Sequence, residues 1–99
     1  MPELAFKRRL RARKRTITTT LEAQGYRVRT FEEGPFHLFA CKGRSARAIR
    51  ICFGYTVTDD ILCLSREPMP DGCLREIWQI SDDGRNIVVA KVAKHVKGQ

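Results

Sequence analysis

The sequence has no closely spaced cysteine pair, and this absence bears on zinc and on disulfides. Its four cysteines lie about ten residues apart and never form a C-x-x-C pair; they are Cys41, Cys52, Cys63 and Cys73. Structural zinc sites normally use such pairs, because two ligands on one turn pre-form half of the metal's tetrahedron. Disulfides require an oxidising compartment, which nothing else in the sequence indicates. We therefore expect unpaired thiols, no metal and no cofactor.

The sequence also lacks a long apolar run and has few aromatic residues. No apolar stretch approaches the roughly 20 residues needed to cross a bilayer, and no signal-peptide core follows the basic start. These absences favour a soluble cytoplasmic protein with no membrane partner. Aromatic residues make up only 8% of the chain, which leaves few rings for stacking on bases. Tyr26 and Tyr55, each next to a glycine, are the best candidates for exposed rings.

Acidic residues are scarce relative to basic ones, and the imbalance is concentrated at one end. The chain has 19 Lys+Arg against 11 Asp+Glu, a net charge of +8. Residues 1–16 hold seven basic groups and one acid, a net of +6, and the remainder holds twelve against ten, a net of +2. Such a block is typical of proteins that bind polyphosphate, usually nucleic acid. A solvated basic tail and a contact with acidic membrane are the alternatives.

The basic block is predicted to lie on a helix over residues 8–24. Phe6, Leu10, Ile17 and Leu21 recur at helical intervals, and Gly25 is predicted to end the helix. Residues 1–7 are expected to form a frayed basic arm.

Five strands and a second helix are predicted to follow in a single α/β domain covering residues 1–99. The β-leaning runs are separated by Gly, Pro and Asp turns, and Thr58 is a credible N-cap for the second helix. The predicted strands are 26–31, 36–41, 47–53, 74–81 and 86–92, with a loose basic tail over 93–99. The element order is therefore α-β-β-β-α-β-β, which predicts a central mixed sheet flanked by helices.

Two neighbouring segments carry a family resemblance: GPFHLFA over residues 34–40 and AIRIC over residues 48–52. They resemble the metal-binding core of the PD-(D/E)XK (restriction-endonuclease-like) superfamily, in particular its small Holliday-junction-resolvase-like branch. In that family a Gly-Pro-Phe-Asp-Leu-Ile-Ala strand supplies a carboxylate, and the neighbouring strand supplies Glu-x-Lys. Here His37, Arg50 and Cys52 stand at the positions of the Asp, Glu and Lys. The resemblance covers residues 8–92 and implies the same element order.

The three substitutions argue against hydrolysis by bound magnesium. Mg²⁺ requires oxygen ligands, whereas His37 offers nitrogen and Arg50 is permanently positive. A single positive charge about 5 Å from a divalent ion costs on the order of 6 kcal/mol at an effective dielectric constant of 20. We therefore expect no catalytic residues at these positions and, on balance, no enzyme. Magnesium would bind only if other acids had moved into place, and the candidates are Glu32, Glu33, Asp59, Asp60 and Glu76.

Arg50 and His37 have further interpretations. Strand alternation puts Arg50 on the face of Ala48 and Cys52, where its guanidinium could replace the metal as a phosphate clamp. Alternatively, Arg50 points to solvent or pairs with Glu76. His37 either hydrogen-bonds to backbone or serves as the acid-base group of a metal-independent ribonuclease.

The sequence thus predicts a nucleic-acid-binding protein with a nuclease-like fold, and DNA rather than RNA as the partner. The predicted binding residues are Arg8, Arg9, Arg11, Arg13, Lys14, Arg15, Arg27, Arg29, Lys42, Arg44 and Arg50. If about five phosphates are neutralised, the log–log salt slope should be roughly −4 to −5 on duplex DNA. Two alternatives remain: an active metal-dependent endonuclease with migrated acids, and an interaction module that docks an acidic protein. A homodimer formed through a strand edge or a helix is compatible with each.

Overall fold

Two helices and five strands make up the computed structural model, which describes residues 3–54 and 58–94 apart from the side chains of residues 3 and 4. The elements are α1 (Glu3–Ala23), β1 (Arg27–Thr30), β2 (Leu38–Lys42), β3 (Ser45–Phe53), α2 (Thr58–Arg66), β4 (Cys73–Ile80) and β5 (Ile87–Lys91). This order confirms the predicted α/β class. Tyr55 and most of the predicted tail lie outside the described residues.

The strands form one mixed sheet in the spatial order β1-β2-β3-β4-β5. Neighbouring strands are antiparallel except β3 and β4, which are parallel. A parallel pair needs a crossover connection, and α2 supplies it. The chain therefore places α2 next to the central strands β3 and β4.

Helix α1 begins at Glu3, five residues before the predicted start at residue 8. Its β-branched threonine run stays helical because Ile17 and Leu21, within and beside the run, are buried against the sheet. Three hydroxyls of the run, those of Thr16, Thr19 and Thr20, donate hydrogen bonds to the carbonyl four residues earlier. The helix ends at Ala23, one residue before the predicted end at residue 24, and Gly25, which was predicted to end the helix, has φ 95°. The N–H of Gly25 donates to Glu22 and that of Tyr26 to Leu21, which is a Schellman motif.

The sheet has a separate apolar core on each face. On one face, Ile17 and Leu21 of α1 pack against a group of fully or nearly fully buried strand residues: Leu38, Ala40, Ile49, Ile51, Trp78 and Ile80. On the other face, Leu64 of α2 packs against Ala48, Cys52, Cys73 and Ile77. We refer to these as the α1 face and the α2 face.

The buried Arg75 fixes the C-terminal end of α2 on the sheet. Its Nε donates to the carbonyl of Leu64 at 3.2 Å, and its Nη2 donates to the carbonyl of Glu67 at 2.9 Å. A cation at this position satisfies open carbonyls and complements the negative end of the helix dipole. The other end of α2 therefore has a defined position over β3. Neither helix in the described part of the chain combines the length and the apolar content for crossing a membrane.

Candidate nucleic-acid interface and the Arg50 cluster

The structure brings His37, Arg50 and Cys52 together on the α2 face. Leu38 pairs with Ile49, so His37, which precedes β2, lies beside Arg50. Arg50 and Cys52 are two residues apart on β3 and therefore share a face. The first turn of α2 adds Asp60 to the group. The predicted common face of Arg50 and Cys52 is confirmed, and we call these four residues the Arg50 cluster.

The guanidinium of Arg50 lies among oxygen acceptors. Its Nε donates to Oδ1 of Asp60 at 2.6 Å, and its Nη1 donates to the carbonyls of Pro35 at 2.9 Å and Gly34 at 3.3 Å. The alternative pairing with Glu76 is wrong, because Glu76 lies on the α1 face. One carboxylate and two carbonyls thus surround a fixed cation that belongs to the chain itself.

The surroundings of Arg50 limit its use as a phosphate clamp. Its side chain is 21% exposed, and its charge is largely offset by the ion pair with Asp60. Nε and Nη1 already donate to protein oxygens, so a phosphate would have to compete with them for the guanidinium fork. These contacts therefore do not favour the interpretation of Arg50 as a phosphate clamp.

The imidazole of His37 acts as a backbone hydrogen-bond acceptor. Its Nδ1 accepts from the N–H of Ile51 at 2.8 Å, which assigns the ring proton to Nε2. Burial and the nearby positive charges of Arg50 and Lys14 lower the His37 pKa to about 4. The ring is therefore neutral at pH 7, with its unprotonated nitrogen already bonded. This arrangement matches the structural interpretation of His37 and disfavours the ribonuclease interpretation.

The low pKa of His37 predicts a loss of stability in mild acid. The His37 pKa falls from 6.5 in the unfolded chain to about 4 in the fold, so the unfolded state binds more protons between these values. The contribution to stability is complete above pH 6.5 and is lost as the pH falls toward 4, by at most about 3 kcal/mol. Urea unfolding at several pH values measures it.

The matched variant for this experiment is His37→Asn, whose amide oxygen can accept from Ile51 and does not titrate. We expect its free energy of unfolding to vary less with pH between 4 and 6.5 than that of the wild type. Parallel pH profiles for the two proteins would contradict the assignment.

The thiol of Cys52 is unsuited to nucleophilic chemistry. Burial, and then the negative charge of Asp60, raise the Cys52 pKa to about 12. The thiolate is the reactive form of cysteine, and at neutral pH the Cys52 thiol stays protonated. Cys52 therefore acts as a small core residue, and all four cysteines are unpaired.

Of the acids considered as migrated metal ligands, only Asp60 reaches the Arg50 cluster. Glu76 accepts hydrogen bonds from Arg47 and Trp78 on the α1 face, Glu32 and Glu33 line a groove beside α1, and Asp59 is exposed. Within residues 3–54 and 58–94, no three His, Cys, Asp or Glu residues come close enough to hold a metal ion. A magnesium ion does not fit the residues present, because the Arg50 guanidinium already occupies the oxygen-lined position.

The basic residues of α1 divide into two groups, and the first group contacts the protein. Arg9 donates to the carbonyl of Asp82 at 3.0 Å and lies 4.2 Å from the centre of the Phe53 ring. Lys14 donates to the carbonyl of Phe31 at 2.6 Å. Arg13 packs directly against Gly84. These three side chains hold α1 on the sheet. Their charged groups already have contacts within the protein, which makes them poor candidates for the predicted phosphate contacts.

The second group forms an exposed stripe along the outer side of α1. Arg8, Arg11 and Arg15 are all exposed and follow one another at spacings of three and four residues. At 1.5 Å per residue the stripe is about 10 Å long, and its members lie on one side of the helix. We call these three residues the α1 stripe. The structure therefore keeps half of the predicted α1 contacts together on one accessible surface.

A groove beside the α1 stripe contains acids as well as bases. Arg11, Lys14 and Glu32 line two adjoining cavities, one of about 210 Å³ that also touches Glu33 and one of about 430 Å³ that also touches Glu22. Arg11 and Arg15 of the α1 stripe border this groove as well. Because the carboxylates in the groove repel phosphates, a polyanion is favoured on the outward-facing side of these arginines and not inside the groove.

The strand arginines lie on a different surface. Arg27 and Arg29 pair with Cys41 and Phe39, so they share the α2 face and border an open cavity of about 630 Å³ there. Both are exposed at the edge strand β1. The predicted set therefore divides between opposite faces of the sheet, and a single straight duplex cannot contact all of it.

The β2–β3 hairpin holds the remaining two predicted residues. Lys42 donates to the carbonyl of Gln24 at 2.7 Å, at the C-terminal end of α1, where a cation is favourable. Arg44 is exposed in the turn itself. Tyr26 is half-buried beneath Lys42 and Arg47, so its ring is not the open stacking surface that the sequence suggested.

Comparisons with family models, curated proteins and solved structures found no match to this chain. The functional interpretation therefore depends on two features of the geometry. One is the α1 stripe, and the other is the internal ion pair of the Arg50 cluster.

Proposed function

We propose that this protein binds the phosphate backbone of nucleic acid, with duplex DNA as the preferred form, through the α1 stripe. The observation that carries the proposal is the exposure of Arg8, Arg11 and Arg15 on one side of a helix that other basic residues hold on the sheet. Backbone contacts of this kind give affinity with little sequence preference. The expected mode of binding is therefore electrostatic, salt-sensitive and weakly specific.

We further propose that the domain is a nuclease-like fold without metal-dependent hydrolysis. The element order is the one that the PD-(D/E)XK resemblance implies. Arg50 occupies the position of a metal-binding glutamate, and its guanidinium makes the contacts with oxygen that a metal ion would otherwise make. The guanidinium of Arg50 is thus a permanent cation at the position where members of that family bind a metal ion.

Asp60 favours a second candidate function, a nuclease that uses a migrated acid. Its carboxylate lies within the Arg50 cluster, but it is paired with Arg50 at 2.6 Å. Releasing it for a metal would break a partly buried ion pair and leave the guanidinium next to a divalent ion. Incubation of plasmid DNA with the protein in Mg²⁺ or Mn²⁺ tests this candidate, and metal-dependent cleavage would establish it.

Replacing the three stripe arginines with glutamine tests the binding proposal. We expect duplex affinity to fall on the order of 100-fold at low salt, at about 1 kcal/mol for each lost charge contact. The log–log salt slope should also become shallower by about 3, since each phosphate contact contributes about 0.9. Fluorescence anisotropy with a labelled duplex in EDTA measures both quantities.

The matched control replaces three exposed basic residues outside the stripe with glutamine: Arg66, Arg85 and Lys94. Both variants lower the net charge from +8 to +5, since 8 − 3 = 5. We expect the control to bind nearly as well as the wild type. Equal weakening of the two variants would mean that net charge, not the stripe, determines affinity. If an acidic protein competed as effectively as DNA, the interaction-module alternative would replace the proposal.

A further inference from the structure

Strand β5 is a largely apolar strand that no element of the described part of the chain covers. All five of its residues are exposed, with Ile87 at 44%, Val88 at 59% and Val89 at 45%. A strand with one solvated face normally alternates apolar and polar residues, whereas a continuous apolar run is typical of strands buried on both faces. The exposed apolar side chains of β5 therefore lie on both faces of the sheet, where a strand added at the edge of β5 would contact them.

The outer edge of β5 has little of the usual protection against pairing. Edge strands are normally shielded by charged side chains, especially lysine, by proline, by a bulge or by a covering element. Lys91 is the one charged residue of β5 and stands at its last position, whereas residues 87–90 are Ile-Val-Val-Ala, and the strand pairs with β4 in an unbroken register. This edge is open to another strand.

The hydrogen-bond pattern shows which backbone groups of β5 face outward. The carbonyl of Asn86 accepts from Ser81, and the N–H of Val92 donates to Arg75, so these two residues point toward β4. Because orientation alternates along an antiparallel strand, Val88 and Ala90 also point toward β4. The N–H and C=O groups of Ile87, Val89 and Lys91 therefore lie on the outer edge.

We propose that β5 pairs with β5 of a second copy of this chain, antiparallel about a two-fold axis at Val89. This register overlaps the whole strand and joins the outward-facing groups through about six hydrogen bonds. Val89 lies opposite Val89, Val88 opposite Ala90, and Ile87 opposite the aliphatic stem of Lys91. Apolar groups therefore lie opposite apolar groups on both faces of the joined sheet, and no two like charges within β5 are directly opposed.

The self-complementary register is the reason to prefer a second copy over an unrelated strand. A two-fold interface uses the same surface on both partners, and β5 fulfils this requirement in both its hydrogen bonds and its side chains. The pairing would extend the sheet from five strands to ten.

The dimer is expected to be weak, because a five-residue strand edge buries less than the roughly 1,200 Å² of standard interfaces. Sedimentation equilibrium from about 10 μM to 1 mM, without nucleic acid, should show the mass rising from 11.4 kDa toward twice that value. Val89→Lys places two ammonium groups opposite each other and should weaken association at least tenfold. Ile61→Lys, at a residue of similar exposure on α2, should leave it unchanged.

Disulfide trapping tests the register independently of the mass measurement. In a Cys63→Ser background, Val89→Cys places the two introduced thiols on directly opposed residues with Cα atoms about 5.5 Å apart, within disulfide range. In Val88→Cys the thiols are displaced along the strands by two residues and lie roughly 8 Å apart, beyond that range. Rapid cross-linking of the first variant alone supports the proposal. A wild type that stays monomeric to 1 mM, or equal cross-linking of both variants, overturns it.

The test is separate from that of nucleic-acid binding. Association is measured without DNA, and the α1 stripe is unchanged in every variant used.

Discussion

Replacing Glu76 with alanine is expected to lower the free energy of unfolding by about 3–5 kcal/mol. Glu76 is buried, at 3% exposure, and a single oxygen, Oε1, accepts two hydrogen bonds. One comes from Nε of Arg47 at 2.9 Å and one from the indole of Trp78 at 3.1 Å, and Nη2 of Arg47 lies 2.7 Å away in the ion pair. Removing the acceptor leaves a partly buried guanidinium and a buried N–H without their partner.

Chemical denaturation of the variant and of Glu22→Ala measures this effect. Glu22 is exposed at the end of α1, and its replacement should change stability by less than about 0.5 kcal/mol. Adding Arg47→Met to Glu76→Ala should recover part of the loss, because the unpaired charge is then removed as well. A loss below about 1 kcal/mol for Glu76→Ala would show that the ion pair does not stabilise the fold.

Introducing acids into the Arg50 cluster is expected to make the protein respond to metal. The double variant His37→Asp and Arg50→Glu places two carboxylates beside Asp60 and the carbonyl of Pro35. Without metal, mutual repulsion and the loss of the Arg50 ion pair should cost about 3 kcal/mol or more. Divalent ions prefer such oxygen ligands, and saturation at about 100 times the Kd would return about 2.7 kcal/mol.

Thermal unfolding in EDTA and in millimolar Mn²⁺ tests this expectation. We expect a clear rise in Tm with metal for the double variant and little change for the wild type. The pair His37→Asn and Arg50→Gln adds no acid and should behave like the wild type. A wild-type protein that gains as much from Mn²⁺ as the double variant would contradict the assignment of Arg50 as an internal cation.

Local signals in the sequence were sufficient for the element order. Gly25 ends α1 because only its positive φ permits the Schellman turn. The hairpin turns fall where their glycines predicted them, at Gly43 and Gly84. The start of α1 was predicted too late, because residues 1–7 were assigned to a frayed arm although Phe6 lies one helical turn before Leu10 and already belongs to the helical pattern.

The division of the basic residues on α1 into an inward-facing and an exposed group follows from their spacing, but the prediction did not use it. Arg9 and Arg13 continue the four-residue row of Ile17 and Leu21, whose side chains face the sheet. That spacing could have indicated which arginines turn inward. The prediction used the number of basic residues on α1 and not their spacing, so it treated all six as equivalent phosphate contacts.

Two features depend on tertiary structure and could not be read from local pattern. The Arg50–Asp60 ion pair requires α2 to pack over β3, which follows only from the parallel crossover. The uncovered faces of β5 require its position at the edge of the sheet. The residues of β5 predicted a strand, but their pattern does not indicate that both of its faces are exposed.

The salt dependence of duplex DNA binding by the wild-type protein, measured in EDTA and again with Mg²⁺ at matched ionic strength, tests the central claim most directly. We predict a log–log slope of about −3 to −5 in EDTA, no gain in affinity when Mg²⁺ is added and an intact duplex throughout. Binding that ignores salt, or cleavage that begins when Mg²⁺ is added, would contradict a metal-free phosphate-binding role for this fold.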